Sequence, residues 1–236
     1  LGAVRHQGFI PWDDDIDIGM PRRDYERFLS IAKNELNDRL FLQTWDTEPG
    51  YPFQFAKLRD STTAFIQKNV AHLKMNHGVS LDIFPLDGCS ASSVANKLGF
   101  FIFKLLSAAY QRKLGVQIRS RIAILIKLFS LFLSKKQLKR AIEKLMLWAD
   151  YERSVCVVNW SGSWGAKEIV SSDVFGEGKQ LSFEGLIVVV PAKIESYLTS
   201  LYGDYMRLPP EAKRQPPHAA DVIDLDNSYK SYQKTI

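Results

Sequence analysis

The chain has 236 residues, 46% of them apolar and 12% aromatic, and a formal net charge of +5. That composition supports a sizeable core and excludes a disordered chain. The two cysteines, Cys89 and Cys156, are distant in sequence; they form neither a disulfide framework nor a zinc spacing and fit a reducing compartment.

The first residues, Leu1 to His6, read as the end of a short helix stopped at Gln7-Gly8. No signal peptide is visible, and the chain begins at Leu1 without a Met. Arg5 and His6 are cations that either cap this helix end or bind anionic oxygens. The stretch Pro11-Trp12-Asp13-Asp14-Asp15-Ile16-Asp17-Ile18 then packs four carboxylates into five residues. Its last residues alternate polar and apolar at a strand period, so Asp13, Asp15 and Asp17 share one face and Ile16 and Ile18 read as buried on the other. Such a row of like charges is repulsive without a cation. Oxygen ligands alone suit Mg²⁺ or Mn²⁺, and no Glu follows at the offset of a calcium loop.

Pro21 opens a helix to about Leu36, with Tyr25, Phe28, Leu29, Ala32 and Leu36 as its buried stripe. Arg22 and Arg23 oppose the dipole at its start, which calls for a nearby acid or phosphate. Strands are expected over 40–45, 53–60 and 62–66. In the second, Phe53, Phe55, Lys57 and Arg59 share a face, where the two cations either meet an anion in a cleft or protect a sheet edge. Val79 to Gly88 is an apolar strand with Asp82 inside it; a buried lone carboxylate needs a partner or a metal. Strand pairing would bring it beside Asp15 and Asp17 as a third ligand.

Between Val94 and Lys144 there are twelve Lys or Arg and one acid, Glu143, a net +11 that leaves −6 for the rest. The apolar runs 98–106 and 122–133 are too short or too interrupted to span a bilayer. They read as packed helices, with an anionic membrane surface as the functional alternative; no nucleic-acid motif accompanies the charge. Helix is expected to continue from Ile142 to Cys156. A Gly/Ser/Trp loop follows at 159–165, then a hairpin turning at Glu184-Gly185, a helix from Pro191 to Tyr202 and a proline-rich strap containing Lys213, Arg214 and His218. The expected organisation is a catalytic core over 1–90, a basic helical insertion over 91–156 and a C-terminal part over 157–236 that completes the core.

Several of these stretches together resemble the LicD family. They are Gly2-Ala3-Val4-Arg5-His6, Gly8 to Ile18, Arg22-x-Asp24-Tyr25, Leu81-Asp82-Ile83-Phe84-Pro85-Leu86-Asp87, Phe183-Glu184-Gly185, Tyr202-Gly203-Asp204-Tyr205-Met206 and Leu208-Pro209-Pro210. The resemblance implies an α+β, nucleotidyltransferase-like fold with a mixed β-sheet and packed helices. It also implies a phosphotransferase moving phosphocholine, or a similar alcohol phosphate, from CDP-choline or another CDP-alcohol to a glycan or lipid-linked glycan such as teichoic acid or lipopolysaccharide. Fukutin-related proteins are distant relatives in this family. Asp15 and Asp17 match its Asp-x-Asp pair and Asp82 its third acid, the three as catalytic residues and Mg²⁺ (or Mn²⁺) ligands. Arg5, His6, Lys57, Arg59 and Trp12 are the substrate-binding candidates, with Asp14 as a spare proton acceptor. Trp12, Trp45, Trp160 and Trp164 are the aromatic faces open to a choline head group. The family's Gly-Thr turn would lie before Leu1. The expected location is cytoplasmic, with peripheral attachment to the inner membrane face as an option. Rival readings are a strict nucleotidyltransferase, a non-catalytic membrane-surface protein and an inactive scaffold.

Overall fold

The computed structural model describes residues 1–232. The architecture is α+β: a six-stranded mixed sheet, two two-stranded sheets and six α-helices among the described residues. After the single helical turn α1 (Gly2–Arg5), the chain runs through β1 (Asp17–Pro21), α2 (Arg22–Glu35), β2 (Leu40–Gln43), β3 (Ala56–Asp60), β4 (Ala64–Gln67) and β5 (Val79–Cys89). Helices α3 (Ser93–Lys113), α4 (Ala123–Phe132) and α5 (Lys135–Met146) follow. The remainder is β6 (Cys156–Val158), β7 (Val170–Ser171), the hairpin β8 (Lys179–Phe183) and β9 (Leu186–Val190), α6 (Ile194–Tyr202) and β10 (Ala220–Asp224).

The main sheet is built around β5. Its first half pairs in parallel with β1 and antiparallel with β3; its last residues pair with β6. The sheet has two chemically different faces because strand side chains alternate. On one face Leu42, Ala56 and Ile83 pack with Tyr25 and Ala32 of α2, so the 3–4 stripe of that helix closes an apolar layer. Arg22, at the helix start, pairs through two contacts of 2.6 and 2.8 Å with the buried Asp87 of β5. A protein carboxylate therefore supplies the acid that its unfavourable dipole position called for. The other face carries the charged residues described below.

Serines set where two of the three insertion helices start. Ser92 caps α3 by accepting from Ala95 N, and Ser134 forms a capping box with Gln137 at α5. Phe103, Leu106, Tyr110, Leu138, Ile142 and Met146 then share a core with Val158 and Trp160.

Several expectations are corrected. Ile16 and Ile18 are each 36% exposed rather than buried. β3 is internal, between β2 and β5, so its cations do not guard an edge. Helix ends at Met146, not Cys156, and Cys156 begins a short strand. That strand sets Cys156 opposite Cys89, both as free thiols, although 67 residues separate them in sequence. β10 belongs to the strap and pairs with β4.

Gly78 lets β3 and β5 meet. A Cβ there would sit 2.0 Å from the carbonyl oxygen of Asp60 and 2.8 Å from its carbon. Both are backbone atoms, which cannot swing away. Gly78→Ala should therefore lower the unfolding free energy by about 1–3 kcal/mol or more, measured by urea denaturation. An unchanged midpoint would show that the sheet absorbs the clash.

Candidate active site

The strand registers assemble a polar row across the open face of the sheet. Gln43 lies beside Lys57, Lys57 beside Asp82, and Asp82 beside Asp17. The ladder extends one step beyond β1, where Asp82 N donates to Ile16 O at 2.9 Å. Asp15 and Asp17 are thereby carried to the same side as Asp82, which lies on a distant segment. The first aspartates sit in the turn before β1 rather than in a longer strand.

Asp82 is buried and held by a cation of the protein itself. The Lys57 ammonium lies 2.7 and 2.6 Å from its two carboxylate oxygens, and Ser80 Oγ donates to it at 3.1 Å. Lys57 also lies 5.6 Å from the Phe53 ring and 5.3 Å from the Phe55 ring. Burial pushes the lysine pKa down and the Asp82 charge opposes that fall. Asp17 keeps accessible surface, yet protein surrounds it within a depression. Burial first, then the charges of Asp15 and Asp82, push its carboxyl up to about 7, with Lys57 pulling the other way. Burial and then Asp13 push Asp15 up to about 6, against the pull of His218.

Asp14, Asp15 and His218 are the one trio among the described residues that brings a ligand atom each within 4.8 Å of one another. His218 Nδ1 is 2.8 Å from Asp14 Oδ1 and 3.7 Å from Asp15 Oδ2, and its backbone N–H donates to Asp14 Oδ2 at 3.3 Å. Asp17 and Asp82 stand beside this trio rather than in it. The expected set Asp15, Asp17 and Asp82 thus shares one face and feels mutual repulsion, but does not close to that distance while Lys57 occupies Asp82.

The remaining sequence-predicted residues divide. Arg5 donates to Tyr205 O at 2.9 Å and sits 6.0 Å from the Trp12 ring; Arg214 sits 5.3 Å from the same ring. His6 meets Trp12 edge-on with ring centres 5.7 Å apart. Neither arginine has a carboxylate partner among the described residues. Arg59 is different: its guanidinium is buried and donates to Gln43 Oε1 at 2.8 Å and Gly78 O at 2.5 Å. Those bonds tie Arg59 into the sheet through a network that includes Glu48 and Asn76. The tryptophan faces are engaged too. Trp160 is buried in the helical core, Trp45 packs on Tyr110 and under Lys139, and Trp164 meets Tyr202 and Lys167. Beside the Lys57–Asp82 pair lies a phenylalanine cluster: the Phe55 and Phe84 ring centres are 4.2 Å apart at a tilt, and Phe53 stacks on Phe55 at 5.5 Å.

Contacts from the far end of the chain hold the acidic turn. Glu184, with φ +51° in the hairpin turn, accepts from Phe9 N at 2.9 Å, and Phe183 packs on Phe9 at 5.0 Å. Arg214 and His218 carry no local signal as site residues, since the proline-rich strap is legible but its docking point is not; Phe53 and Phe55 are legible only as face-mates of Lys57, and Phe84 only as part of an apolar run. A cavity of about 540 Å³ lies elsewhere, between α2, β2 and Tyr229, and none of these aspartates lines it.

The chain aligns over 239 residues, at 32% identity, with the lipopolysaccharide cholinephosphotransferase LicD of Haemophilus influenzae; the alignment covers 95% of this chain and 86% of that protein. The chain belongs to the LicD family. Residues 1–94 match the family model described as LicD/FKTN/FKRP, nucleotidyltransferase domain. A stretch of 31 residues is 61% identical to an uncharacterized protein of Rickettsia typhi, covering 13% of this chain and 10% of that one. No solved structure matches the chain. The residues that carry the LicD resemblance surround the site: Asp15, Asp17 and Asp82 on the sheet face, and Glu184 over the turn before them.

Two measurements test the electrostatics without substrate. In chelator, folded Asp15 and Asp17 hold protons that unfolded carboxylates release near pH 4. The native state thus binds more protons, and the stability this gives is lost as pH rises through about 6 and about 7. Buried Glu168 titrates in the same window, so the informative quantity is a difference: Asp17→Asn should melt higher than the parent above that window and lose part of the slope. Identical melting curves would show that the repulsion is already relieved. Lys57→Met leaves Asp82 buried without its cation, with only the Ser80 hydroxyl donating to it, and should cost about 3–5 kcal/mol in chelator; an unaffected unfolding midpoint would refute the pairing.

Proposed function

We propose that this LicD-family chain transfers phosphocholine, or a similar alcohol phosphate, from a CDP-alcohol to a cell-surface glycan of the lipopolysaccharide type, with a divalent cation at the acidic face. The observation that carries this reading is the alignment along almost the whole chain with an enzyme named for that transfer. The geometry supports it: Asp17 stands opposite Asp82 in register, Asp15 lies on the same side, and Lys57 and His218 only partly compensate their charges.

The donor set fits Mg²⁺ or Mn²⁺, since Asp15, Asp17 and Asp82 offer oxygen alone and repel one another without a cation. When bound there, such an ion supplies charge neutralisation for the donor diphosphate and for the leaving nucleotide. The chain's own residues account for the rest. Arg5 and Arg214, lacking acidic partners among the described residues, are suited to hold phosphate oxygens beside Trp12. The Phe84 ring, beside the two rings that face Lys57, offers a π-surface to a quaternary ammonium near the acidic row. Asp14 Oδ1, oriented by His218 Nδ1, is suited to accept the proton of the acceptor hydroxyl. That hydroxyl oxygen bonds to the distal phosphorus, the bond from that phosphorus to the CMP oxygen breaks, and CMP leaves with the electron pair. Lys57 keeps Asp82 oriented, and Arg59 keeps β3 and the start of β5 in place.

The description of the matching family model as a nucleotidyltransferase domain favours one second reading, attachment of the nucleotide half. Donor labelled in both halves separates the two. Phosphocholine in the glycan with free CMP supports transfer of the alcohol phosphate; nucleotide in the glycan supports the rival. Asp15→Asn and Asp17→Asn should each lower turnover at least about a thousandfold, since each removes a ligand charge at a centre of the kind that carries most of the rate in phosphoryl transfer. Parental turnover in either variant would remove these carboxylates from the mechanism.

A further inference from the structure

Helix α4 is built against the usual order. It buries Ile126 and Ser130, while its remaining large side chains face water. Ile124 is 78% exposed, Leu128 43%, Leu131 65% and Phe132 80%. These positions recur at three and four residues and so form one helix face. A solvent-facing helix surface carries polar residues there; here the buried line includes a serine and the solvent face is aliphatic and aromatic. The sole charge within the helix is Lys127. The flanks are different: Arg119 and Arg121 precede it, Lys135 and Lys136 follow it, and all four are exposed. None of the four is ion-paired among the described residues.

We propose that α4 docks the protein on an anionic bilayer surface. The helix lies in the plane of the interface, with Ile124, Leu128, Leu131 and Phe132 entering the boundary between headgroups and acyl chains. The basic flanks sit over lipid phosphates. Three observations select lipid over a second protein. The segment from Val94 to Lys144 has twelve cations and one acid, so a second copy docked face to face would oppose two strongly positive surfaces. One face of a helix about 15 Å long has a footprint on the order of 150–200 Å², against about 800 Å² per partner in stable protein interfaces. The exposed apolar face and the exposed cations flanking it also match the two layers of an interface, acyl chains for the one and lipid phosphates for the other. Spanning is ruled out for α4 by length, because about 15 Å is half the hydrocarbon thickness of about 30 Å; no helix among the described residues is long and apolar enough to cross a membrane. The inference stands apart from the transfer reaction. If both hold, docking confines the acidic site to the surface where a lipid-linked acceptor resides.

The test is flotation of the purified chain with vesicles of phosphatidylglycerol and phosphatidylethanolamine, beside vesicles of phosphatidylcholine alone. The parent should float with the anionic vesicles, less at high salt, and remain in solution with the neutral ones. Ile124→Glu combined with Leu128→Glu should weaken binding at least about tenfold with the circular dichroism and melting of the parent. Should that pair disturb folding, Lys135→Glu with Lys136→Glu provides an independent arm, expected to weaken binding at least roughly fivefold per residue. No flotation of the parent, parental flotation of either folded variant, or a lipid-free self-association that Ile124→Glu abolishes would overturn the proposal. Because no donor or acceptor is present, these results do not depend on the reaction assigned to the acidic face.

Discussion

The contact on which the site depends is the buried pair between Lys57 and Asp82. Three strands meet there: β3 supplies the lysine, β5 the aspartate, and β1 places Asp17 next to them. Without Lys57, the sheet would carry a buried carboxylate beside two others that burial first, and the neighbouring acids second, already push up to about 6 and about 7. A sheet can keep such a row only if a charge of opposite sign is fixed among its own strands. The lysine is fixed by burial, by both oxygens of Asp82 and by two aromatic faces. It compensates one of the three carboxylates and leaves Asp15 and Asp17 under-compensated, so the face remains receptive to an added cation.

The same pair shows what a sequence can and cannot reveal. Alternation around Asp15 and Asp17 and the misplaced acid in the apolar run of β5 were both visible, and the structure sets them on adjacent strands in register. Lys57 and Arg59 were also visible as odd cations on one strand face, and there identical local signals have different outcomes. Lys57 turns to a carboxylate, while Arg59, two residues on, is consumed by Gln43 and the Gly78 carbonyl. Nothing within the strand distinguishes them, because the difference lies in what β2 and the segment before β5 bring opposite each. The helix from Arg22 to Glu35 and the hairpin at Glu184 were legible because periodicity and turn chemistry are local. The strands β6, β7 and β10 were not; each is five residues or fewer, β6 and β10 exist through the distant partners β5 and β4, and β7 exists through β6.

The helical segment α3–α5 shows a different limit. Both of its apolar runs, 98–106 and 122–133, read as packed helices, and the first does pack within α3, where Phe100, Phe103, Leu105 and Leu106 are buried. The second, which forms α4, is as apolar and has the opposite outcome. Hydrophobicity announces that a face seeks a nonaqueous neighbour, whereas only the three-dimensional arrangement shows whether the protein itself provides one.

The site is also a junction of chain ends. The segment from residue 1 to residue 94 that matches the family model contains the site aspartates Asp14, Asp15, Asp17 and Asp82, Lys57 and the phenylalanine cluster. It does not contain Glu184, which accepts from Phe9 N just before the acidic turn, or His218, which engages Asp14, or Arg214, which lies over Trp12. An acidic turn of this kind has little reason to hold one shape by itself: its charges repel, and Phe9 beside it is 52% exposed. The carboxyl-terminal hairpin and strap hold it at several points, through the Glu184 carboxylate and Phe183 ring on Phe9, His218 on Asp14 and Arg214 over Trp12, and so select one arrangement of the turn. Chemistry written early in the sequence therefore acquires its geometry from the last quarter of the chain. This makes the alignment over 95% of the chain more informative for the site than a match to the acidic motif by itself.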